Sequence, residues 1–164
     1  VGLDARRSHW WWRDGPVPPR PAVIVDVDGV LADAQGRQHH LDWERRDWAA
    51  FFDAAGEDPV IEEVRALLGI VDPDVAVLLV TARPVRIRDV TLTWLDAHGL
   101  RWDLLVMRPR DELAAAWSFK REVVDELRGD GFDLRLAIED DPRNRDMYDE
   151  AGVPCLYLHS GYYE

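Results

Sequence analysis

From residue 22 onward the sequence alternates short apolar runs with stretches of helical periodicity, and few folds accept that order. Residues 22–25 read as a strand, 75–80 ("VAVLLV") as a second, 103–107 ("DLLVM") as a third, 134–138 ("LRLAI") as a fourth and 155–158 ("CLYL") as a last. Helical patterns fill the gaps. Residues 43–56 place Trp48, Phe51 and Phe52 on one face, and Asp58-Pro59 reads as an N-cap and first helical position opening a helix to about residue 68. Further helices are expected over 85–98, capped by Gly99, over 114–127, and over 142–151, closed by Gly152. The run 75–80 is continuously apolar, as in a parallel strand buried on both faces. The pattern predicts an α/β fold: a Rossmann-like, doubly wound, mainly parallel sheet with helices on both faces.

Two segments follow from composition. Residues 22–164 carry the alternating pattern and form the domain. Residues 1–21 include "HWWWRDGPVPPRP" and read as a Trp/Pro-rich tail. Its tryptophans are expected to pack on their own domain, with a homodimer contact as the alternative. At 164 residues the chain supports one sizeable core. No apolar run approaches the ~20 residues that span a bilayer, so no membrane partner is expected. The N-terminus lacks an apolar h-region, and the single Cys155 has no partner for an internal disulfide; a cytoplasmic location is expected. Cys155 itself sits in a buried strand pattern and reads as inert. The formal charge of −12 argues against tight binding along a nucleic-acid backbone and leaves room for a strand end held in a small pocket. Of the 20 basic residues, Lys120 is the one lysine, which suggests a role that arginine does not fill.

Ligands of such folds bind beyond the carboxyl ends of the strands, and there the polar residues gather. Asp26 and Asp28 follow the first strand, Thr81 and Arg83 the second, and Glu139, Asp140 and Asp141 the fourth, while Lys120 lies on the helix before the fourth strand. Carboxylates converging on one edge stay ionised together only around a cation, and oxygen-only ligands favour a hard ion, so Mg²⁺ is expected. A carboxylate beside a bound phosphate is a nucleophile toward phosphorus, and its neighbour two residues on can act as acid and base. Thr81 and Lys120 can stabilise the phosphoryl oxygens. His39 and His40 lack partners at metal-ligand spacing.

"DVDGV", "LLVTARP", Lys120 and "AIEDD", in this order, resemble the four motifs of the haloacid dehalogenase superfamily of phosphohydrolases, over about residues 22–160. "DVDGVLADAQGR" and "FDLRLAIEDDPRNRDMYDEAGVPCLYLHSG" narrow the resemblance to the 3′-phosphatase domain of phage polynucleotide kinase-phosphatases. The resemblance implies Asp26 as nucleophile, Asp28 as acid/base, and Thr81 and Lys120 as phosphate-stabilising catalytic residues. It implies Arg37 and Arg83 as substrate-binding residues, and a Mg²⁺ site made by Asp26, Asp28, Asp140 and Glu139. The inserts after the first and second motifs are too short for a large cap. An open site suits a macromolecular end, so the expected reaction is Mg²⁺-dependent removal of a 3′-terminal phosphate from a polynucleotide through an aspartyl-phosphate, with a kinase or ligase as a partner. The acidic charge keeps a nucleotide or other small-molecule phosphatase as the alternative. A non-catalytic binding domain is a third reading, opposed by the intact set Asp26, Asp28, Lys120 and Asp140.

Overall fold

The computed structural model describes residues 1–42, 46–109 and 114–163. Seven strands form one sheet: β1 (Gly2–Leu3), β2 (Trp10–Trp12), β3 (Pro21–Val25), β4 (Ala76–Pro84), β5 (Leu104–Arg108), β6 (Asp133–Glu139) and β7 (Cys155–Tyr157). Their order is β1-β2-β5-β4-β3-β6-β7; β3 to β7 pair in parallel, while β2 runs antiparallel to β5 and to β1. Five α-helices accompany them: α1 (Trp48–Asp53), α2 (Glu62–Ile70), α3 (Arg88–Ala97), α4 (Ala116–Gly129) and α5 (Pro142–Glu150). This is the expected doubly wound architecture. β3 is central, the chain winds outward to β4 and β5, then returns to β6 on the other side. The reversal beside β3 makes its carboxyl end the crevice of the fold.

Alternation along the strands splits the core into two layers. Ile24, Leu78, Val80 and Val106 face Phe119, Val123, Val124 and Tyr148 of α4 and α5. Val23, Val25, Val77, Leu79 and Leu105 face Val64 and Leu68 of α2 and Trp94 and Leu95 of α3.

The N-terminal segment is not a tail apart from the sheet. Trp10–Trp12 is a buried strand; Trp10 and Trp12 enter one layer and Trp11 the other. The tryptophans pack into their own core, the first of the two expectations.

Two helix expectations are displaced. The predicted helix over 43–56 is a short α1 followed by a 3₁₀ turn, Ala54–Glu57, and its start at 43–45 lies outside the described residues. The helix expected to open at Asp58 begins at Glu62, with Ile61 as N-cap and no side-chain cap. Asp58 is engaged elsewhere. Between β3 and β4 the described residues add only α1, α2 and two 3₁₀ segments, Ala34–Leu41 and Ala54–Glu57. No helix is long and apolar enough to cross a membrane among the described residues.

Candidate active site

β3 delivers Asp26 at its carboxyl end, where the Asp26 N–H bonds the Ile138 carbonyl at 3.0 Å and ties the turn to β6. The chain then folds back on itself: the Val27 carbonyl accepts from the N–H groups of Val30, Leu31 and Ala32. Gly29 takes φ +80°, and a Cβ there would stand 1.9 Å from Asp140 Oδ2. The glycine therefore does two things: it allows the left-handed turn and it makes room for the Asp140 carboxylate.

Glu139 ends β6, and Asp140 and Asp141 follow. Asp141 caps α5 by accepting from the Arg143 N–H at 2.9 Å, with Pro142 in the first turn. Its side chain also holds the Arg143 guanidinium. Asp141 is thus structural, and the two residues before it point into the crevice. Lys120 arrives from α4 on the buried stripe of Lys120, Val123, Val124 and Leu127. Its Nζ is fully buried, 2.6 Å from Glu139 Oε2 and 3.0 Å from Asp26 Oδ2. Glu139 Oε1 faces the N–H groups of Asp140 and Asp141 at 3.2 and 3.3 Å.

Asp26, Glu139 and Asp140 each place a carboxylate oxygen within 4.8 Å of the others. When all three are ionised, three carboxylates against one ammonium leave two negative charges in a buried space. Asp26 Oδ1 and both oxygens of Asp140 are buried without a hydrogen-bond partner of normal geometry. Burial, then Glu139, push the Asp26 carboxyl well above the usual carboxylate range, against the pull of Lys120. Burial raises the Asp140 carboxyl to about 7, opposed by the nearby Ser160 hydroxyl and Lys120 and reinforced by Glu139. Burial works against the Lys120 ammonium, but Asp26 and Glu139 outweigh it and hold its pKa well above the ordinary value. An all-oxygen donor set, doubly negative and with unpartnered buried oxygens, fits a divalent cation.

Asp28 stands apart. Its side chain is not among the three clustered carboxylates; it turns toward Arg83 and Arg37. Arg83 donates to Asp28 Oδ1 through Nε at 2.9 Å and Nη2 at 2.6 Å, and Arg37 Nη2 meets the same oxygen. Both arginines also hold Asp58: Arg37 through Nε at 2.9 Å and Nη2 at 2.7 Å, Arg83 through Nη2 at 3.3 Å. Burial would raise the Asp28 carboxyl, but Arg83 and Arg37 overcome it and keep the group below its usual range. Asp28 is therefore an ionised member of a four-residue network, Asp28–Arg37–Asp58–Arg83. From sequence Asp28 is expected in the Mg²⁺ site, but its side chain is held by the two arginines and lies outside the cluster of Asp26, Glu139 and Asp140. Nor do Arg37 and Arg83 stand free for substrate; both are buried and paired with carboxylates. Thr81, buried on β4, accepts from the Arg83 N–H at 3.1 Å and keeps its hydroxyl proton to donate.

Asp58 is the site residue that sequence reasoning missed. Asp-Pro ahead of a helical pattern is a strong local capping signal, and only the fold brings Arg37 and Arg83 to that carboxylate.

The comparisons with known proteins extend these findings. Residues 20–163 match the model of the polynucleotide kinase PNKP phosphatase domain. Comparison with curated protein sequences finds no match. Among solved structures, a chain of the Pnkp1/Rnl/Hen1 RNA repair complex superposes with TM-score 0.72 at 24% identity, covering 90% of this chain and 45% of that one. The present chain thus spans less than half the length of that relative. The Class C acid phosphatase from Bacillus anthracis with tungstate bound gives TM-score 0.64 at 15% identity, over 90% of this chain and 69% of that one. A haloacid dehalogenase-like hydrolase from Streptococcus pneumoniae gives 0.60 at 13%, over 88% and 87%. These structural likenesses share the fold, and the match across residues 20–163 sets the family: the chain belongs to the polynucleotide kinase PNKP phosphatase domains, which are phosphoric monoester hydrolases of the haloacid dehalogenase type.

Proposed function

We propose that the protein is a Mg²⁺-dependent phosphomonoesterase that works through an aspartyl-phosphate on Asp26 and removes 3′-terminal phosphates from polynucleotides. The observation that carries the chemistry is the buried cluster of Asp26, Glu139 and Asp140 beside Lys120, with unpartnered oxygens on Asp26 and Asp140. Asp26, Asp140 and Glu139 would hold the metal. When bound, Mg²⁺ offsets the cluster's negative charge and polarises the phosphoryl group.

Asp26 attacks phosphorus with one carboxylate oxygen, forming an O–P bond as the bond from phosphorus to the 3′ oxygen breaks. Lys120, fixed on Asp26 Oδ2, orients that carboxylate and faces the negative phosphoryl oxygens; Thr81 donates its hydroxyl proton to them. Asp28, having taken up a proton from solvent as substrate binds, gives it to the departing 3′ oxygen; it then takes a proton from the water that attacks phosphorus, which breaks the Asp26 O–P bond and frees inorganic phosphate. Paired with Arg37 and Arg83 it is a base. An arriving phosphate dianion competes for the same guanidinium donors, and loosening their grip on Asp28 raises its proton affinity toward that of an acid. In this reading the arginines serve substrate binding only after exchanging partners.

The 3′-polynucleotide assignment is supported by the family match over residues 20–163 and by the short inserts after β3, which build no lid domain among the described residues. A kinase or ligase working on the same strand end is part of this proposal, since a relative lies in an RNA repair complex. The test is a phosphate-release screen with Mg²⁺ and with chelator, comparing 3′- and 5′-phosphorylated oligonucleotides with free 3′- and 5′-nucleotides. Metal-dependent release from the 3′-phosphorylated oligonucleotide in preference to the rest is expected. Equal or better turnover of free nucleotides would instead establish a nucleotidase.

A further inference from the structure

Tryptophan is distributed unevenly in this fold. Trp10, Trp11, Trp12, Trp94 and Trp102 are all buried. Among the described residues two tryptophans are exposed: Trp48, 51% exposed, and Trp117, 48% exposed. Each lies at the start of a helix, Trp48 as the first residue of α1 and Trp117 as the second of α4. α4 leads into the parallel strand β6, so its first turn lies at the carboxyl rim of the sheet, where the candidate site opens.

Helical spacing relates Trp117 to the site, and ring contacts relate Trp48 to it. Trp117 precedes Lys120 by three residues, a spacing that makes neighbours on a helix surface, and Lys120 reaches Asp26. On the other flank, Trp48 packs on Phe51 (5.8 Å between ring centroids) and stacks on Phe52 (5.9 Å, interplanar angle 27°). The Arg37 guanidinium lies 4.1 Å from the Phe51 ring centre and pairs with Asp28. α1 is itself pinned to the turn after β4, because Arg86 bonds the Ala49 carbonyl and pairs with Asp53. The aromatic ridge is therefore braced against the rim.

We propose that Trp48 and Trp117 are stacking platforms for bases next to the 3′-terminal phosphate of a single strand. The inference rests on the polynucleotide reading above. Its physical basis is charge. A chain of formal charge −12 is poorly placed to hold a polyanion through backbone phosphates. Stacking on an exposed indole is indifferent to that charge and to base identity. It also separates the substrate classes: a small phosphate monoester lacks the second base that a strand offers to the second platform.

The test compares kcat/KM for a 3′-phosphorylated trinucleotide, the same trinucleotide with abasic residues, and nitrophenyl phosphate, in wild type, Trp48→Ala, Trp117→Ala and the two Phe variants. Each Ala variant is expected to lower the trinucleotide-to-nitrophenyl-phosphate ratio by roughly 5- to 150-fold, or about 1–3 kcal/mol at ~1.4 kcal/mol per decade. The loss is expected in KM, with the Phe variants keeping most of the activity. Wild type acting on the abasic strand is expected to show the same deficit, to which the Ala variants add little. The deficit is expected to persist at high salt, where a lost phosphate contact would fade. If the ratio does not move in either Ala variant while wild type still prefers the 3′-phosphorylated trinucleotide, stacking is refuted and the substrate reading stands. If Ala variants lose all substrates equally, the tryptophans are structural and the proposal is overturned. If wild type shows no preference for the trinucleotide over nitrophenyl phosphate, the polynucleotide reading fails and takes this one with it.

Discussion

Replacing Lys120 by Met removes the ammonium that the buried carboxylates Asp26 and Glu139 share. The ammonium is wholly buried and bridges Glu139 at 2.6 Å and Asp26 at 3.0 Å, so its loss strands three carboxylates with no counter-charge. Removing one partner of a buried ion pair costs about 3–5 kcal/mol. At ~2–4 °C per kcal/mol for a domain of this size, the melting temperature in chelator at pH 7.5 is expected to fall on the order of 10 °C. The deficit is expected to narrow toward pH 5, where the stranded acids take up protons, and to narrow when Mg²⁺ is added. Lys120→Arg is expected to fail differently. A planar guanidinium is larger than the ammonium it replaces, and overpacking a buried site costs about 1–3 kcal/mol. It keeps the charge, so its defect is expected to be insensitive to pH between 5 and 8. Activity is expected to fall by about 10²–10³ in Lys120→Met, the scale for deleting one electrostatic stabiliser. Thermal unfolding with and without Mg²⁺ at the two pH values separates the two failures. A Lys120→Met protein as stable in chelator as wild type would refute the reasoning, as would a fully active Lys120→Arg.

Asp140→Asn removes an unpartnered buried charge, so it is expected to raise the melting temperature in chelator while sharply raising the Mg²⁺ concentration needed for activity; an unchanged metal titration contradicts the site. The Asp140 carboxyl, at about 7 in the folded protein against an ordinary 3.8, binds a proton that the unfolded chain has lost. Metal-free stability is therefore highest below about pH 4 as far as this group is concerned and falls as pH rises through about 7, and Mg²⁺ is expected to stabilise more at pH 8 than at pH 5, measured by thermal unfolding. Gly29→Ala forces a Cβ onto Asp140 and a side chain into φ +80°, and is expected to abolish metal-dependent stabilisation while leaving the secondary structure seen by circular dichroism. Asp58→Asn leaves Asp28 as the one carboxylate paired with Arg37 and Arg83; a stability loss of about 3–5 kcal/mol by urea unfolding is expected.

The sheet was largely legible because its parallel strands are buried on both faces and announce themselves as unbroken apolar runs. Convergence of Asp26, Lys120, Glu139 and Asp140 was legible for a related reason: parallel strands bring their carboxyl ends to one rim, so order along the chain becomes proximity. The failures are all long-range. Trp10–Trp12 looked like a tail because its partner, β5, lies more than ninety residues away and antiparallel edge pairing leaves no local trace. Asp58 looked like a helix cap because its competitors for hydrogen bonds, Arg37 and Arg83, are 21 and 25 residues distant. Sequence alone leaves Arg37 and Arg83 free to meet substrate for the same reason: nothing in it shows that two carboxylates already hold them.

The central claim is that Asp26 is the residue that takes the phosphoryl group from a 3′ end. Borohydride reduces an aspartyl-phosphate to homoserine, so the most direct measurement is to quench wild type during turnover of a 3′-phosphorylated oligonucleotide with Mg²⁺, reduce, and map the modified peptide by mass spectrometry. Homoserine at position 26, absent at position 28, absent in chelator and far weaker with the 5′-phosphorylated oligonucleotide is the predicted result. Modification at Asp28 instead, or sustained phosphate release with residue 26 never trapped, would contradict it.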